Sequence, residues 1–309
     1  MPVKINSYGG YGIWFFRRYY SQYTSKFILT SVEKIRRKKI NNYITRFCQS
    51  ERIPDFKFIM LETVNRCNGK CHFCPANIYD EARPYKKMPD ELIDKIIMDL
   101  KVHNWKGTFF PQVNNEPFID KRLPDILRKI HRELPDVKIC IISNGTLLDI
   151  KKLQEIAPYV SDLTINDYSE KYWLSKNCRE LYLYVKRHKE EFKNINIVIK
   201  RRYDGEILAT RAGNAPNKTR KNNSVSSPCI YLFTDIIIFP DGKVGMCCND
   251  CKETTFMGDA NTTSIFDIWG GQKFVQLRTA MRNGRTAIPF CRECDVIDAG
   301  SREKVIESE

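Results

Sequence analysis

The sequence predicts an α/β fold, a partial (β/α)6 TIM-like barrel followed by a small C-terminal unit of β-hairpin and helix. Three observations carry that expectation. Between Lys57 and Arg202, short apolar runs alternate with stretches of helical periodicity, the order that a parallel sheet with crossover helices requires. The first apolar run, Phe58-Ile59-Met60-Leu61, leads directly into a cysteine-rich loop, and in such barrels the chemistry sits at the C-terminal ends of the strands. No Gly-rich dinucleotide loop follows any strand, which weighs against the rival doubly wound sheet.

The elements follow in order. The first strand is 58–61. A helix is expected at about 89–101, where Leu92, Ile93, Ile96, Ile97 and Leu100 recur at helical spacing and Asp94, Lys95 and Lys101 fall outward. A second strand is predicted over 108–113, a helix over 123–134, a third strand over 137–143 and a short helix over 150–156. A fourth strand (162–165), a long helix (170–192) and a fifth strand (195–200) continue the alternation, and 231–239 would supply the sixth. The chain divides into a basic, aromatic and helical N-terminal segment (1–50), the barrel (51–227) and the C-terminal unit (228–309).

A chain of 309 residues allows one large α/β domain with an appendage, or two ordinary domains. No apolar run approaches the about 20 residues that cross a bilayer, and the start MPVKINSYGG lacks a signal-peptide core. A cytoplasmic protein is expected. Twelve cysteines then argue for metal ligation rather than a disulfide framework. Cys67, Cys71 and Cys74 form one group, and Cys229, Cys247, Cys248, Cys251, Cys291 and Cys294 crowd the last third. Cys48, Cys140 and Cys178 stand alone. Cys140, inside the apolar VKICIIS, reads as a small buried hydrophobe.

Thiols spaced as Cys67-Asn-Gly-Lys-Cys71-His-Phe-Cys74 can hold three irons of a [4Fe–4S] cube and leave the fourth open to a small molecule. A zinc site is the alternative, but zinc knuckles pair two C-x2-C units, and only His72 lies near as a further ligand. The C-x3-C-x2-C spacing with Phe73 before the last cysteine resembles the signature of the radical S-adenosylmethionine (SAM) superfamily. That resemblance implies a [4Fe–4S] cluster that binds SAM and splits it to a 5′-deoxyadenosyl radical, which abstracts a substrate hydrogen. It implies cofactor contacts at Phe73, at Asn114, Asn115 and Glu116 in place of the family's Gly-Gly-Glu-Pro, at Ser143 in Ser143-Asn144-Gly145, and at Asn166. Asn tolerates the positive φ for which Gly is used there.

The last third resembles the twitch/SPASM extension of the same superfamily. The carrying residues are Pro228-Cys229, the run IIIFPDGKVGMCCND with its Pro240-Asp241-Gly242 turn, the stretch Ile265 to Trp269, and Cys291-Arg-Glu-Cys294. The resemblance implies one auxiliary [4Fe–4S] cluster on Cys229, Cys247, Cys291 and Cys294, in the short twitch version, since only fifteen residues follow Cys294. Cys248 is an alternative ligand. If Cys248 and Cys251 do not ligate, either can deliver a hydrogen atom to a substrate radical, as in an epimerase.

The first fifty residues carry ten basic side chains against the single acid Glu33, a net +9 of the chain's +14. Trp14, Phe15, Phe16, Tyr19, Tyr20, Tyr23 and Phe27 are interleaved with them. Such a segment suits a helix packed by its aromatic face with its charges solvated, peripheral contact with an anionic membrane, an anionic substrate such as a phosphate or glycan carrier, or nucleic acid. The basic, Gly/Asn/Ser-rich stretch 201–227 is expected to loop over the barrel mouth, where Arg201, Arg202 and Arg211 can hold a carboxylate or phosphate. The functional expectation is a radical SAM dehydrogenase or epimerase acting on a small sugar, polyol or glycan, supplied with electrons by a flavodoxin- or ferredoxin-type donor. A peptide-modifying enzyme of the same superfamily is one alternative. A zinc-binding nucleic-acid module is the other, favoured by a pI near 9.2 but not by the (β/α) pattern, and nucleic acid is not an expected partner.

Overall fold

Strands covered on both faces read as continuous apolar runs, and those at the centre of this protein do. The computed structural model describes residues 3–7, 25–76, 83–168, 174–202, 208–217 and 226–296, with side chains from Lys34 onward. The described strands are β1 (Val3–Ser7), β2 (Phe58–Leu61), β3 (Thr108–Phe110), β4 (Lys138–Ser143), β5 (Asp162–Asp167), β6 (Asn196–Arg201), β7 (Asp235–Ile238), β8 (Lys243–Gly245) and β9 (Gly258–Asp259). They form one sheet in the order β1-β6-β5-β4-β3-β2-β7-β8-β9. Pairing is parallel from β1 to β7, and the hairpin β7–β8 and strand β9 add antiparallel pairs. All four residues of β7 are buried.

The helices are α1 (Ser25–Gln49), α2 (Asp90–Val102), α3 (Leu123–Glu133), α4 (Ile150–Ile156), α5 (Lys176–Arg187), α6 (Tyr231–Thr234), α7 (Ile265–Gly270) and α8 (Gln272–Arg282). In α2 the expected Leu92, Ile93, Ile96, Ile97 and Leu100 are the buried face, and Asp90 and Glu91 complement the dipole of its first turn. In α1, Ile40, Tyr43, Ile44 and Phe47 recur at helical spacing and enter the core, while Lys38, Lys39 and Arg46 stay exposed. Phe47 meets Phe233 edge-on at 5.3 Å, so this half of the helix packs on the start of the C-terminal unit. Residues 8–24, which hold Trp14 to Tyr23, lie outside the described residues, and with them the core of the membrane-contact expectation.

Two elements depart from the expected order. The sixth strand expected within 231–239 is β7, which follows the helical turn α6 and pairs in parallel with β2, while a further parallel strand, β1, pairs with β6 at the other end of the parallel run. The second strand stops at Phe110 because Pro111 has no N–H to donate. The long helix is α5, capped by Ser175 and ended at His188; residues 169–173 lie outside the described residues. Among the described residues, no helix is long and apolar enough to cross a membrane.

Candidate active site

The loop that follows β2 carries the first three cysteines, and hydrogen bonds fix it to the neighbouring strand ends. The Gly69 N–H donates to Cys67 Sγ at 3.3 Å, and the Cys74 N–H to the Cys71 carbonyl at 3.0 Å. A Cβ on Gly69 would stand 3.4 Å from Cys67 Sγ and 3.7 Å from Cys71 Sγ, so these two thiols flank the glycine. Burial pushes the Cys67 thiol up to about 12, helped by the negative charges of Glu116, Cys74 and Cys71. An uncompensated thiolate is therefore disfavoured here. A positive metal centre is what such a donor set lacks.

The expected cofactor residues surround this loop. Glu116, 2% exposed, uses both carboxylate oxygens as a bracket. Oε1 accepts from Ser143 Oγ (2.8 Å) and the Phe118 N–H (3.3 Å), and Oε2 from the Asn144 N–H (2.8 Å). Burial raises its pKa against these donors. Ser143 is spent in the same bracket, since its Oγ also accepts the Gly145 N–H. Gly145 has φ +74°, the left-handed turn that carries Asn144 over the cysteine loop. There Asn144 Nδ2 donates to Asn68 Oδ1 at 2.9 Å and lies 4.0 Å from Cys67 Sγ. Phe73 is buried against the Tyr168 ring, centroids 5.6 Å apart.

Buried polar atoms without partners collect at this end of the barrel. They include Nδ2 of Asn114, Nδ2 of Asn115, Oδ1 of Asn166, Oγ1 of Thr63 and both amide atoms of Gln112. Leaving such atoms unpaired costs about 1–3 kcal/mol each, so a polar ligand with many hydrogen-bonding groups fits the space they border. Gln112 and Thr63 are not foreseen from the sequence. Each is a lone polar residue beside a strand, and only its orphaned burial marks it.

Arg211 spans the mouth as the loop expectation requires, its Nη2 donating to Asn114 Oδ1 (2.7 Å) and the Cys248 carbonyl (3.2 Å). Its loop is pinned where the Thr210 N–H donates to Asp295 Oδ1 at 2.6 Å. Below it, Arg83 lies 3.6 Å from Glu62 and 3.3 Å from Glu253, joining the end of β2 to the C-terminal unit. Lys86 reaches Asp241 and Glu253 beside that link. Cys251 is wholly buried next to Arg211 and Arg83, and burial, the main influence, raises its thiol to about 11.

A second group of thiols meets in one enclosed cavity. Cys229, Cys247, Cys291 and Cys294 line it together with Met246, Met281 and Arg285. The hairpin brings Cys247 there: Gly242, at φ +87°, closes the turn, and Asp250 locks the following loop through Thr254 and Thr255. Cys294 follows Cys291 by one tight turn. Cys248 lies against Cys247, raising its pKa, but is not among the lining residues. Burial raises Cys229 to about 11 and Cys291 to about 12. Arg285, 3% exposed, reaches Cys294 Sγ at 3.7 Å and sets a cation beside the four thiols. Its place, six residues before the C-x2-C pair, is a signal visible only in retrospect. Such a set fits a cationic metal–sulfur group, whose thiolates the buried guanidinium would offset. All twelve cysteines are described and none is in a disulfide; no three His, Cys, Asp or Glu side chains among the described residues group as ligands of a single ion.

Comparisons with known proteins agree with this layout. The model of the radical SAM superfamily matches residues 61–172, and that of SPASM, an iron–sulfur cluster-binding domain, matches residues 229–295. An S-adenosyl-L-methionine-dependent 2-deoxy-scyllo-inosamine dehydrogenase of Niallia circulans is 22% identical over 255 residues, covering 81% of this chain and 96% of that protein. A crystal structure of BtrN in complex with AdoMet and 2-DOIA superposes with a TM-score of 0.65 at 20% identity, over 79% of this chain and 94% of that one. A second structure of BtrN, in an open conformation, gives 0.60 at 19% identity with the same coverage. At these identities the likeness is one of fold.

Proposed function

We propose that this chain, which belongs to the radical SAM superfamily and carries a SPASM iron–sulfur cluster-binding domain, dehydrogenates a hydroxylated carbon of a small sugar, polyol or cyclitol. Cys67, Cys71 and Cys74 would hold the SAM-binding [4Fe–4S] cluster, and Cys229, Cys247, Cys291 and Cys294 one auxiliary [4Fe–4S] cluster. When bound, these groups supply the 5′-deoxyadenosyl radical that takes a substrate hydrogen and an acceptor for the remaining electron. The chain's own residues do the rest. Glu116 and Ser143 position the Asn144 turn against the cysteine loop, Phe73 buttresses that loop on Tyr168, and Asn114, Asn115, Asn166 and Gln112 offer unpaired polar atoms to SAM or substrate. The division into 1–50, 51–227 and 228–309 belongs to the same proposal, as do a flavodoxin- or ferredoxin-type donor and a cytoplasmic site of action.

The observation that carries the reading is the four-thiol cavity on the sheet that also bears the three-thiol loop. The dehydrogenase relative supports the reaction, because its alignment covers 96% of that protein. The test is anaerobic reconstitution. About eight irons with matching sulfide, SAM cleavage to 5′-deoxyadenosine, and a ketone product from a cyclitol or sugar are expected; stoichiometric zinc without sulfide overturns the reading.

One observation favours epimerisation as a second reading. The Cys251 thiol is buried beside Arg211 and Arg83 at the barrel mouth, outside the four-thiol cavity, where a neutral S–H can serve as a hydrogen-atom donor. Turnover in deuterated water separates the two, since only epimerisation leaves one carbon-bound deuterium on an inverted carbon.

A further inference from the structure

One short turn touches both thiol sites. Arg211 and Ala212 take φ +49° and +57°, with Gly213 next at +82°, so three successive residues are left-handed. That conformation disfavours residues with a side chain, and a run of it points to a functional demand on the segment. Its neighbours hold it in place. The buried Thr210 N–H donates to Asp295 Oδ1 at 2.6 Å, and the Thr210 hydroxyl donates to the Glu293 carbonyl while accepting the Asp295 N–H at 3.2 Å. Cys294 lies between these two anchors. The Arg211 carbonyl accepts the Asn214 N–H and Nδ2, and the same Nδ2 lies 3.4 Å from the carbonyl of Asn249, two residues past Cys247.

From this turn the Arg211 side chain crosses to the first thiol site. Its Nη2 directs one hydrogen to the Cys248 carbonyl at 3.2 Å and the other to Asn114 Oδ1 at 2.7 Å. A guanidinium has only donors, so the end of the Asn114 amide that meets it must be the oxygen. Nδ2 is the end left over, and it is buried without a partner. Arg211 therefore fixes Asn114 as a hydrogen-bond donor. The place is close to the cysteine loop, because Glu116, two residues on, donates its N–H to the carbonyl of Arg66, the neighbour of Cys67. The backbone of Asn114 is held separately, its N–H donating to Glu62 Oε1 at 3.2 Å.

We propose that Arg211 is a positioning residue that couples the two thiol sites. Metal ligation by Cys247 and Cys294 fixes the segments that hold the 210–215 turn; the turn sets Arg211, and Arg211 keeps the donor end of the Asn114 amide toward an acceptor oxygen of SAM. SAM then binds more tightly when the four-thiol site is loaded. This rests on the two clusters proposed above, but not on the identity of the substrate or the fate of its radical.

Equilibrium dialysis of SAM against the reconstituted protein with both centres loaded tests the coupling. Arg211→Met should weaken SAM about tenfold at unchanged iron content, and Arg211→Lys, which keeps cationic donors, should stay within about threefold of wild type. Asn114→Asp separates positioning from mere support: it keeps the acceptor for Arg211 and removes the donor end, so SAM affinity should again fall about tenfold. Thr210→Val unhooks the turn from Glu293 and Asp295 with every thiol in place, and should weaken SAM about threefold or more. Alanine at Cys229, Cys247, Cys291 and Cys294 together should weaken SAM about tenfold beside Arg211 but less than about twofold in Arg211→Met, the non-additivity of a shared link.

SAM affinity within about twofold of wild type in Arg211→Met or Asn114→Asp, or an equal loss from the four-alanine change in both backgrounds, overturns the proposal. Should the four-alanine protein lose the iron of the first site as well, Thr210→Val decides, and wild-type SAM affinity there overturns the coupling. Coupling with no ketone formed would leave the strut standing and reject the dehydrogenase reading. Ketone formation with SAM affinity unmoved in Arg211→Met would do the reverse.

Discussion

Replacing Glu116 by Gln tests whether the loops around the first three cysteines are held by one buried side chain. The amide keeps one acceptor oxygen and turns the other into a donor. If the new NH2 faces the Asn144 N–H, a hydrogen bond of 2.8 Å is lost and two donors confront each other. If it faces the other way, the bonds from Ser143 (2.8 Å) and Phe118 (3.3 Å) suffer instead. A hydrogen bond to a charged group contributes about 1.5–3 kcal/mol and an orphaned buried donor costs about 1–3, so a loss of about 3 kcal/mol is expected. With a urea m-value of about 2 kcal/mol per M, the midpoint should fall by about 1.5 M at unchanged m. The pH dependence has a definite sign. Burial raises the Glu116 pKa, so above the ordinary glutamate value the native state binds more protons than the unfolded chain, and wild-type stability falls as pH rises through that window. Gln has no such slope, so the gap between the two proteins should narrow with rising pH. SAM affinity, by equilibrium dialysis, should fall with stability because Asn144 carries the link to Asn68 and Cys67. Wild-type stability and SAM affinity in Glu116→Gln would refute the bracket.

Four further outcomes are expected. Alanine at Cys67, Cys71 and Cys74 together should remove about half of the iron and all SAM cleavage, measured as 5′-deoxyadenosine, whereas alanine at Cys229, Cys247, Cys291 and Cys294 should remove the other half and spare some cleavage. Cys248→Ala should keep full iron, since Cys248 is outside the lining of the four-thiol cavity; an iron loss there but not in Cys247→Ala would shift the ligand by one residue. Arg83→Met should destabilise by about 3–5 kcal/mol in urea melts, because it removes a cation 3.6 Å from the fully buried Glu62 carboxylate. Arg285→Met should lower the reduction potential of the auxiliary centre in an EPR-monitored titration, as a lost cation and sulfur hydrogen bond disfavour the added electron; an unchanged potential would deny Arg285 that influence.

The alternation of strands and helices was legible because each element buries a face whose period survives in the sequence, as Leu92 to Leu100 and Phe58 to Leu61 illustrate. The grouping of Cys67, Cys71 and Cys74 was legible for a related reason: their spacing is local. What was not legible depends on contacts between distant residues. Val3–Ser7 carries no sign that its partner is β6, so this further parallel strand went unforeseen, whereas the sixth strand expected within 231–239 is there as β7. That Arg201 stands opposite Asp167 requires the register of β5 with β6. Glu116 reads as a ligand contact by motif, while the structure turns both its oxygens inward onto Ser143, Asn144 and Phe118. Gln112 and Arg285 acquire meaning only from what surrounds them.

The pairing of β1 with β6 imposes a timetable on the ribosome-bound chain. Val3 is made 194 residues before its partner Ile197. At about 5–20 residues per second, the opening strand waits on the order of 10–40 s before its partner exists. During that interval an unpaired strand edge precedes the basic, aromatic stretch from Trp14 to Phe27, and exposed edges of this kind invite pairing with other chains. The nascent protein is therefore expected to depend on chaperone cover until β6 emerges, and a permuted gene that encodes the opening strand after β6 should yield more soluble protein at the same rate of synthesis.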